Sequence, residues 1–185
     1  MNWESAPEIS STVIALCALF FTVWQGRQLQ KHNKLSFRPH ITSWSHSNPD
    51  EGSYTVEIIN SGLGPAIIES FTIKIDGEVI LGRGTEPIEK GLKLLFPNTN
   101  YTSQQAYMAK AYSMAPKERC SIVALQFQGP QLPTKDTVEH ALNRADLIIE
   151  YKSFYDEEFT YSSAEDAHSD EVGRLFRRKS AGCSG

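Results

Sequence analysis

The sequence predicts a mainly β protein: an antiparallel β-sandwich preceded by one N-terminal transmembrane helix. Two observations predict it. An uncharged, largely apolar run extends from Ile9 to Trp24, and short alternating segments separated by turn residues follow from about residue 40 to residue 163. About six to eight short strands with regularly spaced turns are typical of a sandwich. A small β-barrel is the alternative, because strand patterns alone do not fix closure.

The apolar run is predicted to be the middle of a longer helix. By itself it would reach roughly 24 Å, which is short of the ~30 Å hydrocarbon core of a bilayer. Ser5 and Glu8 are spaced as a capping box, and Pro7 suits the first turn of a helix. Residues 25–34 are mostly good helix formers. A continuous helix from about residue 6 to residue 34 would therefore cross the bilayer.

A secretion signal, with or without lipidation, and a buried helix of a soluble protein are the other interpretations of the run. A signal peptide needs a basic segment before the apolar stretch, and MNWESAPE carries two acids and no base. A lipoprotein signal needs a small residue before Cys17, where Leu16 stands. A buried helix of a soluble protein stays open, because the run is of intermediate length.

The charges around the run predict its orientation. Arg27, Lys31, Lys34 and Arg38 follow it, and no Lys or Arg precedes it. The positive-inside rule then places the N-terminus outside and the C-terminal domain in the cytoplasm. The predicted location is the bacterial inner membrane, crossed once.

The charge balance and the cysteines bound the function of the predicted β-domain. Between residues 36 and 163, acidic residues outnumber basic residues by 16 to 11. This balance excludes general nucleic-acid binding, which needs a basic face, but leaves room for a small anionic ligand in a local basic pocket. Cys17, Cys120 and Cys183 form no disulfide framework, which fits a reducing compartment.

The predicted organisation has three parts. Residues 1–35 form the helix and its basic extension, residues 36–163 the cytoplasmic β-sandwich, and residues 164–185 a charged, disordered tail. Within the β-domain, the alternation predicts strands at 41–45, 54–58, 67–75, 78–81, 120–127, 146–154 and 158–163, with at least one more between 82 and 118. It also predicts a turn at 46–52, a tight turn at Asp76-Gly77, a helical turn at 85–95 broken by Gly91, and a short helix at 137–144. The strand at 120–127 is nearly all apolar and is expected to be buried on both faces.

A stripe of small residues marks one face of the predicted helix. Ser11, Ala15, Ala18 and Thr22 recur at intervals of four, three and four. Small residues allow helix backbones to approach closely in a membrane, so this face is the candidate for helix–helix packing and for a homo-oligomer.

The sequence lacks the usual arrangements of reactive residues. The histidines, at 32, 40, 46, 140 and 168, form no zinc-binding spacing, and no nucleophile elbow, phosphate-binding loop or dinucleotide pattern occurs. Cys120 lies in an apolar run, where a thiol is inert. We therefore predict no enzyme activity, no catalytic residue, no metal site and no cofactor.

One cluster of aromatic and acidic residues is the candidate binding site. Tyr151, Tyr155, Asp156, Glu157 and Tyr161 lie in or beside the last predicted hairpin. Tyrosine supplies a rigid contact area, and a loop tip is free to recognise a partner. The sequence therefore predicts a protein partner at this hairpin, although an ordinary solvated hairpin explains it as well.

Two segments carry a resemblance at the level of architecture. NSGLGPA at residues 60–66 and YKSFYDEEFTY at residues 151–161 resemble segments of small, mostly uncharacterised bacterial membrane proteins. These proteins combine one N-terminal helix with an immunoglobulin-like cytoplasmic domain, which is the fold the resemblance implies here. Some single-span proteins of this plan are membrane effectors in antiphage defence. The matching motifs are turn sequences and transfer no catalytic residue.

Two functions follow as hypotheses. The first is a membrane-tethered, non-enzymatic interaction or scaffold module that presents its β-sandwich to a protein partner. The alternative is a ligand-gated membrane effector, whose β-domain senses a small anionic signal such as a cyclic nucleotide and whose helix perturbs the bilayer.

Overall fold

The computed structural model describes residues 6–130 and 132–165, without the side chains of residues 6–10 and 12. Its helices are α1 (Ala6–Ser36), α2 (Glu86–Leu95) and α3 (Lys135–Leu142). The strands are β1 (Ile41–Asn48), β2 (Ser53–Asn60), β3 (Ala66–Ile75), β4 (Glu78–Val79), β5 (Tyr101–Gln105), β6 (Ser113–Met114), β7 (Arg119–Phe127), β8 (Ala145–Lys152) and β9 (Glu158–Ser162). The chain divides into two compact units at Phe37. The predicted tail lies outside the described residues, except for its first two positions.

The first unit is the long helix α1. Its 31 residues extend about 46 Å and confirm the continuous helix predicted for residues 6–34. Among the described residues, no helix meets both the length and the apolar character required to cross a membrane.

The second unit is built from two antiparallel sheets. The first has the strand order β1-β2-β7-β5, and the second has the order β4-β3-β8-β9 with β6 paired to one end of β3. The mainly β, antiparallel architecture predicted from the alternation is therefore confirmed. The described strands form two separate sheets, whereas a closed barrel would join them in one.

A single hydrophobic core draws side chains from both sheets. Ile58 and Phe127 come from the first sheet, Ile68 and Ile149 from the second, and Val138 of α3 packs with them. All five side chains are essentially inaccessible to solvent. The alternating pattern of each strand explains this arrangement, because every second side chain points to the same face.

The strand β7 differs from its prediction. It lies between β2 and β5, so its central position is as expected. However, only one of its faces is fully buried, through Ile122, Leu125 and Phe127, while Ser121 and Gln126 are exposed. The prediction of burial on both faces is therefore wrong, because among the described residues no helix covers the outer face of β7 as it would in a parallel sheet.

Three local predictions also need correction. The predicted turn at 46–52 begins later, because β1 continues to Asn48, which pairs with Ser53. The strand predicted at 78–81 ends at Val79. Gly91 does not break α2, because the burial of Ile88, Leu92 and Leu95 on the same helix outweighs the low helix propensity of glycine.

The loop after β2 is held by the side chain of Asn60, which is completely buried. Its amide nitrogen donates to the carbonyl oxygens of Gly64, Met114 and Ala115 at 2.8, 3.2 and 3.3 Å. Its amide oxygen accepts from the backbone N–H of His40 at 3.2 Å. One side chain therefore fixes three separate segments of the chain, a role well beyond turn formation.

Candidate functional site

The small-residue stripe lies within α1. Ser11, Ala15, Ala18 and Thr22 are all exposed, and all belong to one uninterrupted helix. The hydroxyl of Thr22 donates to the carbonyl oxygen of Ala18 at 2.8 Å, which satisfies this polar group within the helix. The stripe as a packing face remains a prediction.

The turn between β8 and β9 is organised by Ser153, which is completely buried. The Ser153 backbone N–H donates to the carbonyl of Glu157 at 2.9 Å, and its hydroxyl accepts from the N–H groups of Tyr155 and Glu157 at 3.2 Å each. Asp156 adopts a positive φ of 57°, a conformation that Asp tolerates better than most residues. The tip of this hairpin is thus a defined turn.

The structure separates the five residues of the predicted binding cluster into two groups. Tyr151 and Tyr161 are buried in the core, and the Tyr151 hydroxyl accepts from the N–H of Ile41 at 3.3 Å. Tyr155, Asp156 and Glu157 lie together at the hairpin tip. The alternation of the two strands could have predicted this separation, because Tyr151 and Tyr161 occupy inward positions of β8 and β9.

Two further residues belong to this tip and were missing from the predicted cluster. Phe154 is 72% exposed, and its ring packs edge-on against Tyr155 with the ring centroids 6.1 Å apart. Arg38 lies beside the hairpin, 3.5 Å from the carboxylate of Glu157 and 5.5 Å from the ring centroid of Phe159. We call the group of Arg38, Phe154, Tyr155, Asp156 and Glu157 the hairpin-tip surface.

The loop that follows β2 adjoins this surface. The carbonyl of Arg38 accepts from the N–H of Leu63 at 3.1 Å, and the Leu63 side chain is 63% exposed. Asp156 also pairs with Lys152 at 3.6 Å. The surface therefore combines exposed apolar side chains with charges of both signs, a composition typical of protein–protein contact.

The surroundings of Cys120 and Glu69 shift the pKa values of both side chains. Burial raises the pKa of the Cys120 thiol, so its nucleophilic thiolate form is disfavoured at neutral pH. Hydrogen bonds from Lys152 and Lys110 lower the pKa of Glu69 below its ordinary value. Among the described residues, no cluster of three or more His, Cys, Asp or Glu side chains could hold a metal ion.

The described part of the β-domain contains an inter-sheet cavity and an open cleft. The inter-sheet cavity, of about 570 Å³, lies between the two sheets and also contacts α2 and α3. The second is an open cleft of about 690 Å³ beside the end of α2, lined by Lys93, Phe96 and Tyr101 among others.

No model of a known protein family matches this sequence, and no curated protein shows significant sequence similarity to it. The resemblance carried by residues 60–66 and 151–161 stays a prediction.

Proposed function

We propose that this protein is a membrane-tethered, non-enzymatic interaction module that presents an immunoglobulin-like β-sandwich to a protein partner on the cytoplasmic side of the bacterial inner membrane. The observation that supports this proposal most strongly is the distribution of apolar side chains around α1. The exposed ones include Val13, Ile14, Leu16, Leu19, Phe20, Phe21, Val23 and Trp24.

These side chains surround the helix. At 3.6 residues per turn, the consecutive apolar positions 13–21 cover every direction around its axis, interrupted only by small residues. A helix that is apolar on all sides is normally buried in protein or in lipid. The apolar run begins earlier in the sequence, at Ile9. Its full length supports a lipid environment.

The ends of the run support the proposed orientation. Trp24 closes the run, and tryptophan is enriched at the boundary between lipid and water. Arg27, Lys31 and Lys34 continue on the same helix and supply positive charge for the cytoplasmic side. Their long side chains can extend toward the headgroups.

The hairpin-tip surface supports a protein partner. Phe154 exposes a large apolar side chain on a turn whose backbone is held by Ser153, so little conformational entropy would be lost on binding. Tyr155 lies against it, and Glu157 with Arg38 supplies polar groups around the aromatic pair. Large aromatic side chains at the centre of a contact, surrounded by polar groups, commonly dominate binding energy.

The alternative function, a membrane effector gated by a small anion, requires a cationic binding site. In the part of the chain that the structure describes, the lining of the inter-sheet cavity contains no Lys or Arg. In the open cleft, Lys93 lies 2.7 Å from the carboxylate of Glu89, so its charge is already compensated. The interaction module is therefore the preferred proposal.

Site-specific photo-crosslinking in intact bacterial cells tests the partner. A photoreactive phenylalanine analogue replaces Phe154 in the full chain, and the matched control places it at Leu81, which is also highly exposed. We expect a discrete crosslinked protein from position 154 alone, which is lost when Glu157 and Tyr155 are replaced by Ala. Crosslinking of equal yield at both positions, or at neither, would contradict the proposal.

A further inference from the structure

Two small residues of β1, Ser43 and Ser45, line the inter-sheet cavity at positions that face the core. Ser43 and Ser45 pair with Ile58 and Val56 of β2, and directly opposed residues of neighbouring strands point to the same face. Ile58 is completely buried, so Ser43 and Ser45 also project toward the space between the sheets. Small hydroxymethyl groups fill less of this space than the branched apolar side chains found opposite them.

The interior of the cavity is apolar. Val56, Ile73, Leu92, Ile122 and Leu147 are among its lining residues. Its volume of about 570 Å³ lies within the range of roughly 300–1,000 Å³ found for small-molecule sites. The lining therefore suits a ligand with an apolar body.

One polar group of the lining has no partner among the described residues. The hydroxyl of Tyr54 is buried without a hydrogen bond, and Tyr54 as a whole is only 5% exposed. Leaving a buried hydrogen-bonding group unpaired is costly. Burial also raises the pKa of Tyr54, and the nearby Glu139 carboxylate adds to this effect, so the hydroxyl remains a donor at neutral pH.

The charged residues of the described cavity lining are acidic. Glu139 and Asp146 belong to the lining, and none of its described residues is Lys or Arg. Glu139 pairs with Lys135 at 3.4 Å, and Asp146 accepts from the hydroxyls of Ser162 and Ser163. The described lining therefore offers no cation that could pair with an anionic ligand.

The entrance is open to solvent. The lining includes the exposed residues Ser45, Glu139, Asn143 and Ala164. A ligand can therefore reach the apolar interior from the surface without unfolding of the domain.

We propose that the inter-sheet cavity binds a small, uncharged, largely apolar molecule with an acceptor group to which the Tyr54 hydroxyl donates a hydrogen bond. The site lies entirely within the β-domain, so it stands independently of membrane tethering. It differs from the anionic signal of the alternative function both in charge and in the chemistry of recognition.

Fluorine NMR of the full chain in lipid nanodiscs tests this site with a matched pair of probes. The probe 4′-fluoroacetophenone carries a neutral ketone acceptor, whereas 4-fluorobenzoate carries a carboxylate on the same ring. Spectra of empty nanodiscs are subtracted to remove partitioning into lipid. We expect saturable binding of the ketone and none of the benzoate.

Variants assign the binding to the cavity. Tyr54→Phe removes only the donor and is expected to weaken ketone binding about three- to tenfold. Ser43→Leu fills the space and is expected to abolish binding, whereas His46→Leu, on the exposed face of the same strand, leaves it unchanged. Circular dichroism verifies folding, and the Tyr54→Phe comparison is decisive even if Ser43→Leu does not fold. Absence of saturable ketone binding, equal affinity in Tyr54→Phe, or comparable binding of the benzoate would overturn the proposal.

Discussion

The amide oxygen of Asn60 accepts a hydrogen bond from the backbone N–H of Gly62 at 3.1 Å. This contact closes the start of the NSGLGPA segment into a tight turn of the Asx type. It also brings Gly62 against the backbone of residues 38–40, where a Cβ atom would lie 2.6 Å from the Cα atom of Pro39. The turn between β2 and β3 and the start of the β-domain are therefore one interlocked unit.

Replacement of Asn60 should destabilise the β-domain strongly. Asn60→Ala leaves two backbone N–H groups and three carbonyl groups without their side-chain partner in a buried site. We expect a loss of at least about 3 kcal/mol in the free energy of unfolding, measured by urea denaturation. Asn98→Ala, at an exposed position, is the control and should change stability by less than about 0.5 kcal/mol. Equal effects of the two substitutions would refute the structural role of Asn60.

Two glycine substitutions should have opposite effects. The nearest atoms to a Cβ at Gly62 belong to the backbone of Arg38, Pro39 and His40, so Gly62→Ala should cost about 1–3 kcal/mol. At Gly91 a Cβ would meet Ile75 at an ordinary 3.5 Å, and alanine favours the helix by up to about 1 kcal/mol. Gly91→Ala should therefore stabilise the domain. Thermal unfolding of both variants provides the comparison, and a stabilising Gly62→Ala would contradict the packing described.

Tyr112 should make stability depend on pH in the alkaline range. Its hydroxyl donates to the carboxylate of Glu118, which, with burial, raises the pKa of Tyr112 to about 12 from the ordinary 10.0. The protonated form is favoured in the folded state, so this contribution is fully present below pH 10 and is lost as the pH rises toward 12.

Urea denaturation at pH 9 and pH 11 measures this loss. The decrease in stability between the two pH values should be smaller in Tyr112→Phe than in the wild type. Tyr107→Phe is the matched control, because the described structure shows no hydrogen bond from the Tyr107 hydroxyl. An identical pH dependence in wild type and Tyr112→Phe would show that the Glu118 contact does not matter.

The small-residue stripe should govern self-association in the membrane. Ala15→Ile and Ala18→Ile place bulky side chains on the face where backbones would approach, and should weaken association of the full chain. Val13→Ile, on another face of α1, is the control. Förster transfer between labelled chains in bilayers measures the change. Equal transfer in all three variants would remove the stripe as a packing face.

Much of the fold follows from local sequence pattern. Period-two alternation locates β2, β3, β8 and β9, because each of these four strands has one inward face. The pairing of strands does not follow from it. β7 lies beside β2, although more than fifty positions separate them along the chain, and only tertiary packing determines that choice.

The candidate sites were likewise predictable from the sequence only where they depend on local pattern. The hairpin at 151–161 is visible in the sequence, but Arg38 reaches it from 119 positions away, and no local pattern indicates that contact. Ser43 and Ser45 were evident as members of an alternating strand. The cavity beside these serines could not be predicted, because its other walls come from the second sheet, α2 and α3, which lie far from β1 in the sequence.

Alkaline carbonate extraction of bacterial membranes that contain the full chain tests membrane tethering most directly. We predict that the wild type stays in the membrane pellet, as an integral protein does, and that Leu16→Arg shifts it toward the supernatant, because a charge at the centre of a span costs about 2.5–3.5 kcal/mol or more. Leu29→Arg, beyond the apolar run, should leave it in the pellet. Complete release of the wild-type protein, or the same distribution for Leu16→Arg and Leu29→Arg, would contradict the proposed tether.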